Sequence, residues 1–399
     1  KLKKIENVLL FLTLLFLPTQ LGLHFWPDFS FIYSLKIDYL SPTLYFWDIL
    51  TTGLLIVWFF RKPKVNIFAL NLFLFFLLTQ GLSLLGAENI GAGLVRLQQY
   101  GLVGLFGVFL ASCDFKSLSG KFFLPLALGI LGESNLAILQ FIKGSTIGLW
   151  VFGERTFTLV TPGIAKFDFY GMEFLRPYAT FPHPNVLAGF ILLGACIMYQ
   201  VLREKQKIAK LTLILGGISI FLTMSRAAIF AGLIASVILL RKKWLIFMTV
   251  LFIISSPILF TRFFSLLNFD NLTLLRRGEL AEKAWQMFLQ HPFFGVGLNN
   301  FIPTVSSNLL TGPSRFLQPV HNIILLVLSE TGLIGLIGLI SLMGLPVLLS
   351  LRKQGSINKM TLSWLIIFFL GMFDHYFLTL PQGYRLFFIV WGLTFSVLK

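Results

Sequence analysis

Long apolar segments follow one another along almost the whole chain, and short polar connections separate them. These segments are long enough to cross the hydrocarbon core of a bilayer, which is about 30 Å thick. They are continuously apolar, which favours membrane-spanning helices over the alternating strands of a membrane barrel. The pattern predicts twelve transmembrane helices, at about residues 7–25, 44–60, 65–86, 90–112, 122–142, 185–202, 208–224, 227–240, 244–260, 322–349, 360–377 and 384–398.

The composition agrees with a chain made mainly of membrane spans. Of its 399 residues, 56% are hydrophobic and 12% are charged, whereas soluble globular proteins carry about 25% charged residues. The mean hydropathy is +0.85. We therefore predict an all-α integral membrane protein with a single membrane domain over residues 1–399 and no large soluble domain.

The net charge of +16 would suggest a nucleic-acid partner in a soluble protein, so its distribution matters. If Lys1 lies in the cytoplasm, the inside loops carry most of the Lys and Arg residues but only Glu6, Asp114 and Glu204 among the acidic ones. The whole positive excess then lies on the cytoplasmic side, as the positive-inside rule requires. This predicts a multi-pass protein of the cytoplasmic membrane with both termini inside, and it removes the nucleic-acid interpretation. No small-residue cleavage site follows the first apolar segment, so we expect a span there and not a signal peptide.

Two long loops are expected on the outer side, at about 143–184 and 261–321. Within the second loop, apolar residues recur at helical spacing between Gly278 and Gln290. That spacing predicts an amphipathic helix, which lies on the membrane or caps the bundle and ends at His291-Pro292. We expect the polar chemistry of the protein to lie on these outer loops.

Several kinds of site are missing from the sequence. Cys113 and Cys196 lie in or at the end of apolar segments, and no Cys/His cluster has the spacing of a metal site. No nucleotide-binding loop of the form GxxxxGKS or GxxxxGKT occurs, nor do paired carboxylates typical of a metal or glycosidase site. We therefore expect a reaction that uses no cofactor, no ATP and no metal, on a donor that is already activated.

Two arginine positions on the outer side are candidates for binding phosphate. Arg226 follows Ser225 in a very short turn between two apolar segments, so its guanidinium should lie near the outer interface. It either snorkels to lipid headgroups or binds a pyrophosphate with its bidentate fork. Arg276 and Arg277 open the amphipathic helix, where each is either a solvated basic residue or a second phosphate ligand. The two point in different directions on a helix, and we favour Arg277.

Histidines on the outer side are candidates for handling a proton. His321 lies at the start of the tenth predicted span, and an imidazole with a pKa of about 6.5 acts as a general base at neutral pH. The alternative is a helix-entry histidine bonded to nearby backbone. His183 and His291 are weaker candidates because each precedes a proline, whereas His24 and His375 look interfacial.

Taken together, these outer polar segments resemble the O-antigen ligase and polysaccharide polymerase family of bacterial membrane glycosyltransferases. The resemblance covers about residues 176–330 best. It rests on Arg176 to Asn185, Ser225-Arg226, Arg277 with Trp285 and His291 to Gly297, and His321-Asn322 before Gly332 to Gly335. The order and spacing of these segments are more specific than any one of them.

The resemblance implies a polytopic helical fold of the GT-C type and transfer of a glycan from an undecaprenyl-pyrophosphate carrier at the outer face of the cytoplasmic membrane. It implies that Arg226 and Arg277 hold the pyrophosphate, that His321 activates the acceptor hydroxyl, and that the anomeric carbon is inverted without a metal. Substrate-binding roles are expected for Arg176, Arg276, Asn322, His183 and Asn185. The expected partners are the lipid-linked donor, a glycan or glycolipid acceptor, and membrane lipids.

The choice within the family stays open among a ligase, a polysaccharide polymerase and a protein O-oligosaccharyltransferase. A lipid-linked glycan flippase or another transporter is the alternative from a different class. A transporter would place its polar residues at mid-span and would have related halves. The arginines and His321 are predicted at the outer ends of spans, and this favours the enzyme.

Overall fold

The computed structural model describes residues 1–201, 207–239, 272–306, 317–354 and 359–398, and most of these residues are helical. The described helices are α1 (Leu2–Leu15), α2 (Phe46–Phe60), α3 (Ile67–Leu82), α4 (Ile90–Ser112), α5 (Phe115–Lys143), α6 (Pro184–Val201), α7 (Lys207–Leu222), α8 (Arg226–Leu239), α9 (Leu272–Gln290), α10 (Phe301–Ser306), α11 (Ile323–Gln354), α12 (Lys359–Gly371), α13 (Tyr376–Thr379) and α14 (Pro381–Val397). The predicted span at 244–260 lies outside the described residues.

Three short antiparallel strand pairs lie in the polar connections. They are β1 (Gly22–His24) with β4 (Thr43–Tyr45), β2 (Phe31–Ile32) with β3 (Leu35–Lys36), and β5 (Lys166–Phe169) with β6 (Met172–Leu175). The first pair corrects the predicted span at 7–25, because α1 ends at Leu15 and Gly22 already pairs with Tyr45. Pro18 stands just beyond the helix, and a proline there has no backbone N–H with which to continue it.

Among the described residues, four helices are long and apolar enough to cross a membrane: Ile67–Gly86, Ile90–Ser112, Phe115–Lys143 and Ile323–Arg352. Shorter apolar helices cover Phe46–Phe60, Pro184–Tyr199, Arg226–Leu239 and Met360–Gly371. The chain is therefore a mostly helical membrane protein. The count of twelve spans and the two-sided topology stay predictions.

The chain divides into two compact units. The first unit comprises Lys1–Thr13, Gly22–Leu118 and Leu272–Lys399, and the second comprises Leu14–Leu21 and Ser119–Asn271. In the first unit, α14 packs against α4, and α11 packs against α3 and α9. Where α4 meets α14, a Cβ added to Gly392 would collide with the carbonyl oxygen of Gly107. Glycine at this position lets the two helix backbones approach closely.

In the second unit, α6 packs against α7 and α8. The β5–β6 hairpin is attached through aromatic stacking, since the rings of Phe141, Phe167 and Phe174 lie parallel at centroid distances of 5.4 to 6.4 Å. Phe141 belongs to α5, so the hairpin is fixed to the end of that helix. Strand β6 ends directly before Arg176, so this stacking also fixes the backbone that leads into Arg176.

Candidate functional site

The candidate residues of the first unit are organised around α11, which contains a break at Gly332. Gly332 has φ +62° and ψ −161°, a backbone conformation open essentially to glycine alone. The loop between α9 and α10 lies along this break. Val296 N donates to Ser329 O (2.9 Å), Gly297 N donates to Glu330 O (2.8 Å), and Leu333 N donates to Pro292 O (2.8 Å). The loop and the broken helix are thus joined through backbone groups.

Glycines make that close approach possible on both sides. A Cβ added to Gly295 would collide with the backbone of Glu330, and a Cβ added to Gly332 would collide with the backbone of Phe293. The glycines quoted for the family resemblance therefore have a physical role here, because they let two backbones pair where a side chain would separate them.

Glu330 completes the attachment of the loop. Its carboxylate accepts hydrogen bonds from Asn299 N (3.0 Å) and Phe301 N (3.2 Å). The side chain of Asn299 in turn accepts from Arg96 Nη2 (3.3 Å), and Arg96 Nη1 donates to Thr379 O (2.8 Å). A buried chain of polar contacts therefore runs from α11 through α4 to α13.

His321 and Asn322 stand at the entrance to α11. Asn322 caps the helix, since its Oδ1 accepts from Ile324 N (2.9 Å) and Leu325 N (3.0 Å). Its Nδ2 donates to Met372 O (3.2 Å), which ties the helix start to the end of α12. His321 is partly buried, and among the described residues its Nδ1 has no hydrogen-bond partner.

Two residues that the sequence analysis did not assign to the site join His321 here. The rings of His321 and His375 meet edge to face with centroids 5.2 Å apart. One potential ligand atom from each of His321, Asp374 and His375 lies within 4.8 Å of the others, and this donor set could hold a metal ion. His375 is buried, with only 3% of its surface exposed, and its predicted position at the membrane interface stays a prediction.

Burial keeps both histidines neutral at pH 7, because it lowers the pKa of each imidazole. Burial lowers the pKa of His321 to about 4, with Asp374 acting to raise it and Arg277 acting to lower it further. Burial also lowers the pKa of His375 to about 3, against the same opposing effect of Asp374. Both imidazoles therefore carry a free nitrogen lone pair at neutral pH.

Arg277 belongs to the same neighbourhood. Its charge affects the pKa of both His321 and His375, so the guanidinium lies within electrostatic range of the histidine pair. It is partly buried, as is Arg276 beside it. Helix α9, which carries both arginines, buries Leu280, Ala284 and Met287, and this buried face fixes the helix against α11.

In the second unit, Arg176 is built into the protein by its own hydrogen bonds. It is 6% exposed, and its Nε donates to Thr223 O (2.6 Å) while Nη2 donates to Asn185 Oδ1 (2.8 Å). His183 Nδ1 accepts from Asn185 N (3.1 Å) at the start of α6. Arg176, His183 and Asn185 therefore join the end of the 143–184 loop to the turn that precedes α8. A substrate-binding role for these three residues stays a prediction.

That turn presents Arg226 as the first residue of α8. Met224 has a positive φ of +50°, which reverses the chain sharply between α7 and α8. Ser225 N donates to Thr223 Oγ1 (3.3 Å), and Arg226 is partly buried. A guanidinium at a helix N-terminus, where backbone N–H groups are also directed outwards, suits the binding of an anion.

Polar side chains of α5 form hydrogen bonds with the Arg176 loop, which is the segment from Arg176 to the start of α6. Gln140 Oε1 accepts from Tyr178 N (3.0 Å) and Ala179 N (2.7 Å). Glu133 accepts from Thr180 N (3.1 Å) and Thr180 Oγ1 (2.9 Å). The sequence gave no signal for Gln140, because a single glutamine in an apolar helix has no pattern of its own.

The fold thus brings His321, Asn322 and the Arg276-Arg277 pair into one unit, and Arg176, His183, Asn185 and Arg226 into the other. Asp374 is the chief residue that the sequence analysis missed. Its one signal was an acidic residue next to a histidine at the end of an apolar segment, which is weak without knowledge of the fold. A joint site formed by Arg226 and Arg277 stays a prediction.

Comparison with known families gives a match to part of the chain. A family model described as O-antigen ligase matches residues 211–340, about a third of the sequence. The matched segment contains Arg226, Arg276, Arg277, His321 and Asn322, whereas the Arg176 loop and Asp374 lie outside it. No curated protein matches the chain.

The match and the apolar helices agree on the class of protein. The match over residues 211–340 and the apolar helices support an inner-membrane protein with an activity of the O-antigen ligase or polymerase type, which in general involves a lipid-linked glycan and an acceptor. The resemblance predicted from these polar segments is therefore confirmed over residues 211–340, which match the O-antigen ligase family model.

Proposed function

We propose that this protein transfers a glycan from an undecaprenyl-pyrophosphate carrier to an acceptor hydroxyl at the outer face of the cytoplasmic membrane. His321 is the general base, and Arg277 and Arg226 hold the pyrophosphate. One observation carries the proposal: within the family segment, a histidine whose Nδ1 has no partner among the described residues lies in electrostatic range of Arg277 and Asp374. That combination supports a site in which a proton acceptor and a cation suited to phosphate act on the same substrate.

In the proposed reaction, the acceptor hydroxyl gives its proton to the imidazole of His321 while its oxygen attacks the anomeric carbon. The bond from that carbon to the pyrophosphate oxygen breaks, and the electron pair leaves with the lipid pyrophosphate. Attack opposite to the leaving group inverts the anomeric centre. Asp374 supports the step because its negative charge stabilises the imidazolium that forms.

The arginines act on the leaving group. Negative charge accumulates on the pyrophosphate as the sugar bond breaks, and fixed guanidinium groups stabilise that charge more effectively in a water-poor site. Chemistry of this kind needs no metal and no nucleotide. The positive-inside rule, applied to the sequence, predicts that these residues lie on the side opposite to the positive excess, and a reaction on a donor presented at the outer face agrees with that prediction.

The test is transfer by the purified protein from an undecaprenyl-pyrophosphate glycan to a panel of acceptors: a lipopolysaccharide core, a second lipid-linked glycan, and a protein. We expect His321→Ala to lower kcat by about 100-fold to 10,000-fold, the usual contribution of a general base. Arg277→Ala and Arg226→Ala should mainly weaken use of the donor. The acceptor that is glycosylated separates the ligase, the polymerase and the protein oligosaccharyltransferase.

Two matched variants serve as controls. Arg276→Ala removes the neighbouring charge on α9, and its effect on donor use should be smaller than that of Arg277→Ala. His291→Ala removes an exposed histidine of the same unit and should leave transfer unchanged. Transfer that survives loss of His321 and both arginines would refute the site. Movement of the lipid-linked glycan across liposome bilayers without transfer would support the transporter alternative.

A further inference from the structure

His321, Asp374 and His375 form a cluster of electron-pair donors that the transfer reaction does not fully explain. A general base needs one imidazole and at most one orienting carboxylate. The second histidine is buried and contacts the first through its ring. All three residues belong to the first unit, so their arrangement depends on that unit alone.

The hydrogen bonds of His375 determine which of its nitrogens is available. Thr379 Oγ1 donates to the carbonyl oxygen of His375 (3.1 Å), so the single hydroxyl proton of Thr379 is already used. The hydroxyl oxygen then accepts from His375 Nδ1–H, at 2.6 Å. The proton of the neutral ring is thereby assigned to Nδ1, and Nε2 carries the lone pair.

The Nε2 atom of His375 lies close to a carboxylate. His375 Nε2 lies 3.9 Å from Asp374 Oδ1, and one potential ligand atom of His321 completes the group within 4.8 Å. A bond from the other ring nitrogen to a neighbouring group, which fixes tautomer and orientation, is typical of histidines that bind metals.

We propose that His321, Asp374 and His375 bind a divalent transition-metal ion of the zinc class, and that the bound ion inhibits glycan transfer. Two imidazoles and a carboxylate suit zinc, whose bonds to nitrogen and oxygen are about 2.0–2.2 Å long. Ligand atoms around such an ion lie roughly 3.3–3.5 Å apart, so ligand atoms that lie within 4.8 Å of one another need to approach by at most about 1.5 Å. Inhibition follows because the ion takes the lone pair of His321. This last point rests on the proposed role of His321 as the base.

Substitution of Arg277 tests the proposal, because its charge should have opposite effects on metal binding and on donor use. Its positive charge reaches both histidines, so it opposes the binding of a cation while it favours the binding of a pyrophosphate. Loss of this charge should therefore tighten metal binding and weaken donor use. A general loss of structure would weaken both, so the two effects together separate an electrostatic cause from misfolding.

The experiment uses the full-length protein in detergent with cobalt(II) as a visible-light probe and with no donor present. We expect one cobalt ion per chain with nitrogen and oxygen ligands, displaced by zinc. Asp374→Asn and His375→Gln should weaken binding by about tenfold or more, the scale on which changes at metal sites act, whereas Arg277→Gln should tighten it. His291→Gln and His24→Gln are the matched controls and should bind as the wild type does.

The second readout is transfer in the presence of zinc. Wild-type turnover should fall as zinc is added and recover with a chelator, and the zinc concentration that halves turnover should rise in His375→Gln. The site is refuted if the wild type binds no cobalt, or if Asp374→Asn binds it equally well. Stimulation of transfer by zinc refutes inhibition. Cobalt binding without any detectable transfer would leave the metal site standing and would count against the proposed glycosyltransferase.

Discussion

The two units hold their candidate residues in different ways. In the first unit, the loop before α10 pairs with α11 through backbone groups, and glycines at 295 and 332 allow the approach. In the second unit, the Arg176 loop is held by side chains, with Gln140, Glu133 and Arg176 supplying the bonds. Backbone pairing depends on which residues lack a side chain, whereas side-chain support depends on particular functional groups.

This difference has a consequence for substitution. Gly295 and Gly332 in the first unit have no conservative replacement, because a Cβ at either position would collide with backbone atoms and both have a positive φ. A supporting side chain in the second unit has partial substitutes, since a shorter or isosteric group keeps some of its bonds. We therefore expect changes in the first unit to affect stability and activity together, and changes in the second unit to be graded.

The largest effect is expected from Gly332→Ala. The φ of +62° alone makes an alanine unfavourable by about 1–3 kcal/mol, and the new Cβ would collide with the backbone of Phe293. The melting temperature in detergent should fall and transfer should be lost. Gly344→Ala in the same helix is the matched control, because a Cβ there meets no atom within 4 Å, and it should be neutral. Equal melting temperatures for the two variants would contradict the backbone account.

Some of this arrangement was predictable from the sequence, and some was not. The segments around His291 to Gly297 and Gly332 to Gly335 were recognised as a pattern, and they prove to be the two sides of one backbone contact. His321 and Arg277 were predicted from residue type and position, and they do lie within electrostatic range of each other. Patterns that recur along the chain, such as apolar spacing and glycine motifs, were therefore informative.

The sequence did not predict contacts between residues that are far apart along the chain. Asp374 and His375 are far from His321 in the sequence, and only the packing of α11 with its neighbours brings them together. Gln140 supports the Arg176 loop from within an apolar helix, where one polar residue predicts nothing about its partner. The first span was overestimated because apolar character continues past Leu15 although the helix stops there. Hydropathy reports where a chain is apolar, not where its backbone turns.

An intermediate effect is expected from Gln140→Ala in the second unit. Loss of the side chain leaves the N–H groups of Tyr178 and Ala179 without their acceptor, and each buried donor left without a partner costs about 1–3 kcal/mol. Donor use should weaken, since the loop that positions Arg176 against Thr223, in the turn before Arg226, loosens, while some transfer remains. Asn135→Ala, on an exposed position of the same helix, is the matched control. If Gln140→Ala abolished folding outright, the second unit would be no more tolerant than the first.

The smallest effect is expected from Glu154→Gln, and it should depend on pH. Burial acts to raise the pKa of Glu154, but hydrogen bonds from Ile147 N, Gln140 Nε2, Leu149 N and Gly148 N outweigh it, so the pKa is lowered from its usual 4.5. A lowered pKa means that the ionised carboxylate stabilises the fold at pH values above 4.5, and that this stability is lost as the pH falls through the lower folded-state value.

Glu154→Gln should therefore destabilise the 145–154 segment at pH 7 by an amount on the order of 1 kcal/mol, and the difference from wild type should shrink in acid. Hydrogen exchange of peptides covering Ile147 to Leu149, compared between variant and wild type at each pH, measures the effect locally. Glu173→Gln removes an exposed carboxylate bound to Lys166 and should leave this segment unchanged. A difference that stayed constant from pH 7 to about pH 3 would mean that shape, and not charge, makes Glu154 important. The side-chain support of the second unit would then resemble the backbone support of the first.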